Sequence, residues 1–336
     1  MIRPRSLYHR LVPIATLAAA LATNASAAPP LSEALAGLPL SDAQKASFAR
    51  GEIVTAEPKA TNERELSFAV GFVIQRPPAE IVDDVLKGEV LAKNPDVVAR
   101  GDLSSGAPGE FSGLHLAGPD AAQEWVEAKP GGKLNLSREE IAGFAALGGS
   151  SGAALQGAVE GQLHQALAAR VQAYRGRGLA GMTPYARGHG DEKPGDDLLA
   201  ASRASGPIRT RAPGFQKLLE GYPDGRGPGF VERYRWIVSK AGGEPTILLQ
   251  HVFAMPDGDA WGLAQRQYFV STQYNAEQDA VLLQPVAEGT LVILMSRTST
   301  DQVAGFGGGA KRAIGSKMMG KALVAMAERS REALKP

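Results

Sequence analysis

Two stretches of the chain have the residue types and spacing of reactive motifs. In the first, Gly305-Phe306-Gly307-Gly308-Gly309-Ala310-Lys311, a polar turn runs through glycines into a helix-like segment. Loops of this kind cradle phosphates, because backbone N–H groups and the positive end of the next helix face the anion. The P-loop form G-x-x-x-x-G-K-[ST] fails twice here. Ala310 stands at its second glycine and Arg312 at its magnesium-binding hydroxyl. Gly305-x-Gly307-x-x-Ala310 fits the dinucleotide fingerprint, but that fold needs a further strand after the helix, with an acid about 20 residues on. The helix-like segment instead runs to the last residues. The reading we adopt is a tight turn that lets a strand pass into a helix.

The second stretch, Gly148-Gly149-Ser150-Ser151-Gly152, has the G-x-S-x-G form of a nucleophile elbow. An elbow follows a strand, whereas Arg138–Leu147 reads as helix. Asp196 or Asp197 and His251 fill the remaining triad places on paper, so a serine hydrolase using Ser150 is the second functional reading. The other histidines after residue 27, His115, His164 and His189, form no pair with metal-ligand spacing. His189 with Asp191 and Glu192 lies in a Gly/Pro loop and reads as solvated surface. No metal and no cofactor are expected. The chain has no cysteine, which excludes thiol catalysis and disulfides.

The amino-terminal residues bear on compartment. Arg3, Arg5 and Arg10 precede a short apolar run, Leu11–Leu21, and Ala25-Ser26-Ala27 has the small residues of a cleavage site. A periplasmic or secreted protein, cleaved near Ala27, is the expectation. Cleavage removes three arginines and no acid, leaving 33 basic against 35 acidic residues. That balance argues against nucleic acid as a partner. No later segment is apolar for long enough to span a bilayer, so no integral membrane segment is expected after cleavage.

Any such site needs elements to position it. Leu66, Phe68, Val70, Phe72 and Ile74 alternate with smaller or polar residues, the period of a strand. Pro77-Pro78-Ala79-Glu80 opens a helix. Val97–Leu103 and Phe111–Leu116 read as strands around a Ser/Gly/Pro turn. From about 119 to 228 the pattern is helical. Ser137-Arg138-Glu139-Glu140 is a capping box, and Leu155, Val159, Leu163, Leu167 and Val171 recur every four residues. Five strands follow at hairpin spacing, within 230–297, and imply an antiparallel sheet. A long helix over Gly308–Ala333 carries Ile314, Met318, Ala322, Ala325 and Met326 on one stripe, widened by Met319 and Leu323, and is the expected cover for the sheet.

The order of these elements resembles the START-related helix-grip superfamily of lipid-transfer and polyketide-cyclase-like proteins. The likeness rests on ELSFAVGFVIQRPPAEIVDDVL, on the strand series from Phe230 to Arg297, and on AKRAIGSKMMGKALVAMAERSREAL as a terminal helix. It implies an α+β fold in which a curved antiparallel sheet grips a long C-terminal helix. Residues 1–27 are then the signal peptide, and 28–50 a linker and short helix. Residues 51–118 and 229–336 are the two parts of the grip domain, with 119–228 a helical insertion. It also implies a hydrophobic small molecule or lipid held between sheet and helix. By strand parity His251, Phe253, Arg266, Tyr268, Met295 and Arg297 are the candidate lining residues, with Met318 and Met326 from the covering helix. A non-catalytic envelope structural or interaction protein is the third reading.

Overall fold

The computed structural model describes residues 28–188, 190–240, 243–305 and 307–333. The signal-peptide reading and His189 therefore lie outside the described residues. Two short helices lead in, α1 (Leu31–Ala36) and α2 (Asp42–Ala49); the Ser41 hydroxyl and the Gln44 side chain close a capping box on α2. Strands β1 (Val54–Ala56) and β2 (Glu65–Ile74) precede α3 (Pro78–Lys87), α4 (Glu89–Ala92) and β3 (Val97–Leu103).

The helical region follows. It comprises α5 (Pro119–Val126), α6 (Arg138–Ala145), α7 (Gly152–Arg177), α8 (Pro194–Arg203), α9 (Gly206–Arg211) and α10 (Pro213–Gly221). A small hairpin of β4 (Tyr185–Arg187) and β5 (Gly190–Glu192) interrupts it, where the sequence reads only as a polar loop. Five strands then run in series, β6 (Val231–Ser239), β7 (Thr246–Asp257), β8 (Ala260–Val270), β9 (Ala276–Val286) and β10 (Gly289–Ser299), and α11 (Gly308–Ala333) closes the chain. The fold is α+β: one antiparallel eight-stranded sheet, a helical region and a long C-terminal helix.

The strand order is β1-β2-β10-β9-β8-β7-β6-β3. Both faces of the sheet are covered, so its central strands are buried almost continuously. On one face the helical region packs, with α8 and α9 against β9 and α10 against β7 and β8. The α7 stripe Leu155, Val159, Leu163, Leu167 and Val171 is buried in that core. On the other face α11 lies along β2 and α3 crosses β7, β8 and β9. Phe68, Val70, Phe72, Val281, Leu283, Val292 and Leu294 meet Leu323 and Ala327 of α11 there.

Two expectations are corrected. Phe111–Leu116 is not a strand: Pro108–Phe111 is a 3-10 turn, and the Glu110 carboxylate accepts the N–H groups of Ser104, Ser105 and Gly106. That carboxylate ties the segment into a compact turn, and both Phe111 and Leu114 point inward, as a turn allows. The second correction is the rotation of α11. Ile314 and Met318 face solvent, at 64% and 67% exposure, and the side turned to β2 carries Gly315 and Gly320. Glycine permits this close approach, since a Cβ built at Gly320 would lie 2.6 Å from the Phe68 ring. Glycine-to-alanine changes usually strengthen a helix, by about 1 kcal/mol. Gly320→Ala is expected to do the reverse and destabilise by about 1–3 kcal/mol through overpacking, whereas Met318→Gln should stay within about 0.5 kcal/mol of the parent. Chemical denaturation of both variants checks the pair.

Candidate functional site

The residues singled out by strand parity do not share one wall. His251, Phe253, Arg266, Tyr268, Met295 and Arg297 point to the face covered by the helical region, not to α11. Met326 packs on the opposite face and Met318 is in solvent. Alternation fixes which side chains share a face but not which helices cover it, and here two sets of helices compete for the sheet.

On the covered face, His251 and Arg266 sit in a closed polar network. The Nε2 of His251 lies 2.9 Å from the Glu232 carboxylate, and its Nδ1 lies 3.1 Å from the Tyr174 hydroxyl. Arg266 donates to that hydroxyl, to Gln278 Oε1, to the Leu219 carbonyl and to Ser202. No carboxylate among the described residues pairs with it. Phe253 stacks on His251, and Tyr268 stacks on Tyr174 at 4.1 Å. Burial lowers the His251 pKa to about 4, so the ring is neutral at neutral pH. Burial pushes the Glu232 carboxyl up, but bonds from His251 and Tyr222 outweigh it and hold the group below its ordinary range. Tyr222, Glu232 and Tyr234 reach a 360 Å³ pocket with Arg175 and Arg226 at its rim. Met295 is core, and Arg297 forms a buried pair with Glu65 at 2.7 Å rather than marking a cavity mouth.

The triad on paper is not assembled. Ser150 follows α6, a helix, and is exposed. Asp197 engages Asn62 and Ser299, and both ring nitrogens of His251 are engaged by Tyr174 and Glu232. The glycine loop is a turn: Gly305 and Gly307 have φ of 71° and 74°, the left-handed region that favours glycine. Among the described residues no group of three or more His, Asp or Glu side chains is arranged to hold a metal ion.

A second polar row lies on the other face of the sheet, the one that α3 and α11 cover. The opposite parity of the same strands supplies it. Gln267 opposes Glu277, Gln265 opposes Asp279, and Thr298 and Ser296 stand across from those two acids on β10. Gln265, Gln267, Glu277 and Asp279 all keep partial exposure although they sit on central strands. Further along the same strands the row turns apolar, with Trp261, Leu263, Val281 and Leu283. This floor is therefore polar at one end and apolar at the other.

Glu277 accepts from Gln267 and from Thr298, each at 2.8 Å. Asp279 keeps one carboxylate oxygen, Oδ1, without a partner, and so does Gln250 with its Oε1. Burial first, and then the neighbouring Asp279 charge, hold the Glu277 carboxyl well above its usual range; burial likewise raises Asp279. Strand alternation in β9 already separates Glu277 and Asp279 from Ala276, Gln278 and Ala280. Two acids at i and i+2 on a central strand were the signal available in the sequence. No family model matches the chain, and neither a curated protein nor a solved structure does.

Proposed function

We propose that this is an exported protein that binds an amphipathic small molecule or lipid in the groove between the sheet and α11. The apolar body lies against Val281, Leu283, Leu294 and the inward side of α11. The polar end meets Glu277, Asp279 and Gln250. One observation carries the reading: acceptors without partners stand on a partly exposed floor beside an apolar wall. Buried polar groups are ordinarily satisfied, and leaving one unpaired costs about 1–3 kcal/mol. Because the free atoms are acceptors, the ligand's polar end is a donor, a hydroxyl or an amine. The strand order, with α3 and α4 joining β2 to the far edge strand β3 and α11 following β10, supports the helix-grip likeness. The basic, apolar and small-residue run of 1–27 supports export.

Native mass spectrometry of the full chain, followed by solvent extraction, tests the proposal. The expected result is one bound amphiphile per chain, released on unfolding. The same chain, emptied, should take up a fatty alcohol or a fatty amine. An Asp279→Asn variant should bind either one about tenfold more weakly, because the amide loses one acceptor. A folded protein that arrives empty and takes up neither amphiphile sinks the proposal. The acids also have a stability signature. The folded pKa of Glu277 lies above its unfolded value, so its neutral form favours the fold at low pH and that advantage fades as pH rises through the folded pKa. Glu277→Gln should therefore raise the melting temperature at pH 9 more than at pH 4.

A non-catalytic partner-binding role has one observation in its favour. Ile314 and Met318 stand exposed one helical turn apart on α11.

A further inference from the structure

A second cleft lies at one end of the sheet; neither Glu277, Asp279 nor the residues of the buried network line it, although the hydroxyl of its Tyr274 donates to Gln267, which bonds Glu277. Its volume is about 1030 Å³, and most of the residues that line it carry charged or polar side chains. Four parts of the chain converge on it. They are the residues leading into β2, the β4–β5 hairpin, the turn between β8 and β9, and the residues just after β10. The segment 130–135, between α5 and α6, forms a further side.

Two arginines organise the cleft. Arg64 pairs with Glu192 at 2.5 Å and approaches Asp197 and Asp301 at 3.7 and 4.0 Å. Arg187 donates to Asp301 at 2.9 Å and to the side-chain oxygens of Asn135 and Asn275 at 2.8 and 2.9 Å. Each keeps a buried nitrogen that makes no hydrogen bond, Nε on Arg64 and Nη1 on Arg187. One wall is also held in an unfavourable conformation. Gln273, in the β8–β9 turn, has φ of 77° and is the one non-glycine residue in the left-handed region among the described residues. Such positions cost about 1–3 kcal/mol and cluster at binding sites. The surroundings hold Gln273 there: its carbonyl accepts from Gln302 and Thr300, and its amide donates to Thr246.

The balance of groups selects the ligand. Arg64, Arg187 and Lys133 face Glu63, Glu192, Glu244 and Asp301, so neither sign of charge prevails. Burial, with the nearby Asp197 charge, raises Glu192 to about 7, so near neutrality it donates as well as accepts. A cleft with forked donors, planar amides and carboxyls and, among the described residues, Tyr274 alone as an aromatic wall offers little to an apolar molecule. It matches a ligand that presents many paired donors and acceptors and no net charge. We propose that this cleft is a binding site for a neutral polyhydroxylated molecule of the saccharide class, held by Arg64 and Arg187, with Asn135 and Asn275 orienting the Arg187 fork. This is independent of the groove between α3 and α11.

The test is amide chemical-shift mapping of the full chain with four probes at millimolar concentration. Three are neutral trisaccharides, maltotriose, cellotriose and N-acetylated chitotriose. The fourth is trigalacturonate, a charged control. The expected result is that at least one neutral probe moves amides of 131–135, 187–188 and 272–275. Arg187→Lys keeps the charge and loses the fork, and should weaken that probe about tenfold. Gln273→Gly should keep the fold and serves as a check that shifts report contact with the cleft. Three results overturn the proposal: no shifts with any neutral probe, shifts elsewhere on the molecule only, or binding by trigalacturonate alone. If Arg187→Lys does not fold, the wild-type maps decide by themselves.

Discussion

Replacing Arg266 with methionine is expected to cost the fold about 3–5 kcal/mol. The side chain is fully buried, yet no carboxylate among the described residues pairs with it. Its charge is instead spread over acceptors: Gln278 Oε1, the Leu219 carbonyl, the Tyr174 hydroxyl and Ser202, with the Phe253 ring 5.4 Å from the guanidinium carbon. Methionine fills much of the same volume, so the cavity contribution is small. What remains is a set of acceptors cut off from water, each costing about 1–3 kcal/mol when left unpaired. Lysine should rescue little, because its single ammonium cannot reach four acceptors in a plane. Denaturant midpoints of the two variants decide the matter. A loss below about 1 kcal/mol for the methionine variant would mean that the acceptors find other partners, and that the guanidinium does not organise this face.

The second expected result is acid sensitivity centred on His251. Its folded pKa of about 4 lies below the ordinary value of 6.5. The unfolded chain therefore takes up a proton first as pH falls. The stability contributed by the neutral ring is complete above about pH 6.5 and is lost progressively toward pH 4. Between pH 7 and pH 5 the loss is about 2 kcal/mol. Glu232, whose carboxyl is held low, adds to the loss in the same direction at still lower pH. The groups facing the ring are Tyr174, Tyr222, Tyr234, Phe253, Glu232, Arg226 and Arg266. Denaturation at pH 7 and pH 5, for the parent and for His251→Gln, measures the effect. The variant should be weaker at pH 7 but should lose much less on acidification. Parallel losses in both proteins would place the acid sensitivity elsewhere, with the carboxylates around Arg64 the next to test.

Much of this architecture was legible in the residues. Period-two alternation located β2 and the serial strands, and the box at Ser137 caps α6 as read. The four-residue repeat from Leu155 to Val171 became the buried stripe of α7. Parity also grouped His251 with Phe253 and Arg266 with Tyr268. What parity could not supply was the identity of the cover. A sheet coated on both faces has no solvent side to betray its orientation, and polar residues on either parity look alike in the sequence. Hence the pattern alone does not set the acids Glu277 and Asp279 apart from their neighbours of the opposite parity. In α11 the large side chains implied a buried stripe, but Gly315 and Gly320 decide the contact, because close approach to Leu66 and Phe68 needs the absence of a side chain. The cleft beside the β4–β5 hairpin is built from segments distant in sequence, which no local pattern joins.

The order of the strands also sets an order of events. β2, close to the start of the described chain, lies between β1 and β10, and its long register is with β10, the last strand made. β3 waits likewise for β6, across the whole helical region. Contacts so remote in sequence close slowly, because loop entropy is lost before pairing is gained. A nascent chain that has not reached Ser299 thus holds β2 as an apolar ribbon with one long edge unpaired, the kind of surface that chaperones bind and that otherwise self-associates. Pulse-labelled hydrogen exchange should find β2 and β10 gaining protection together, after the α7 helix.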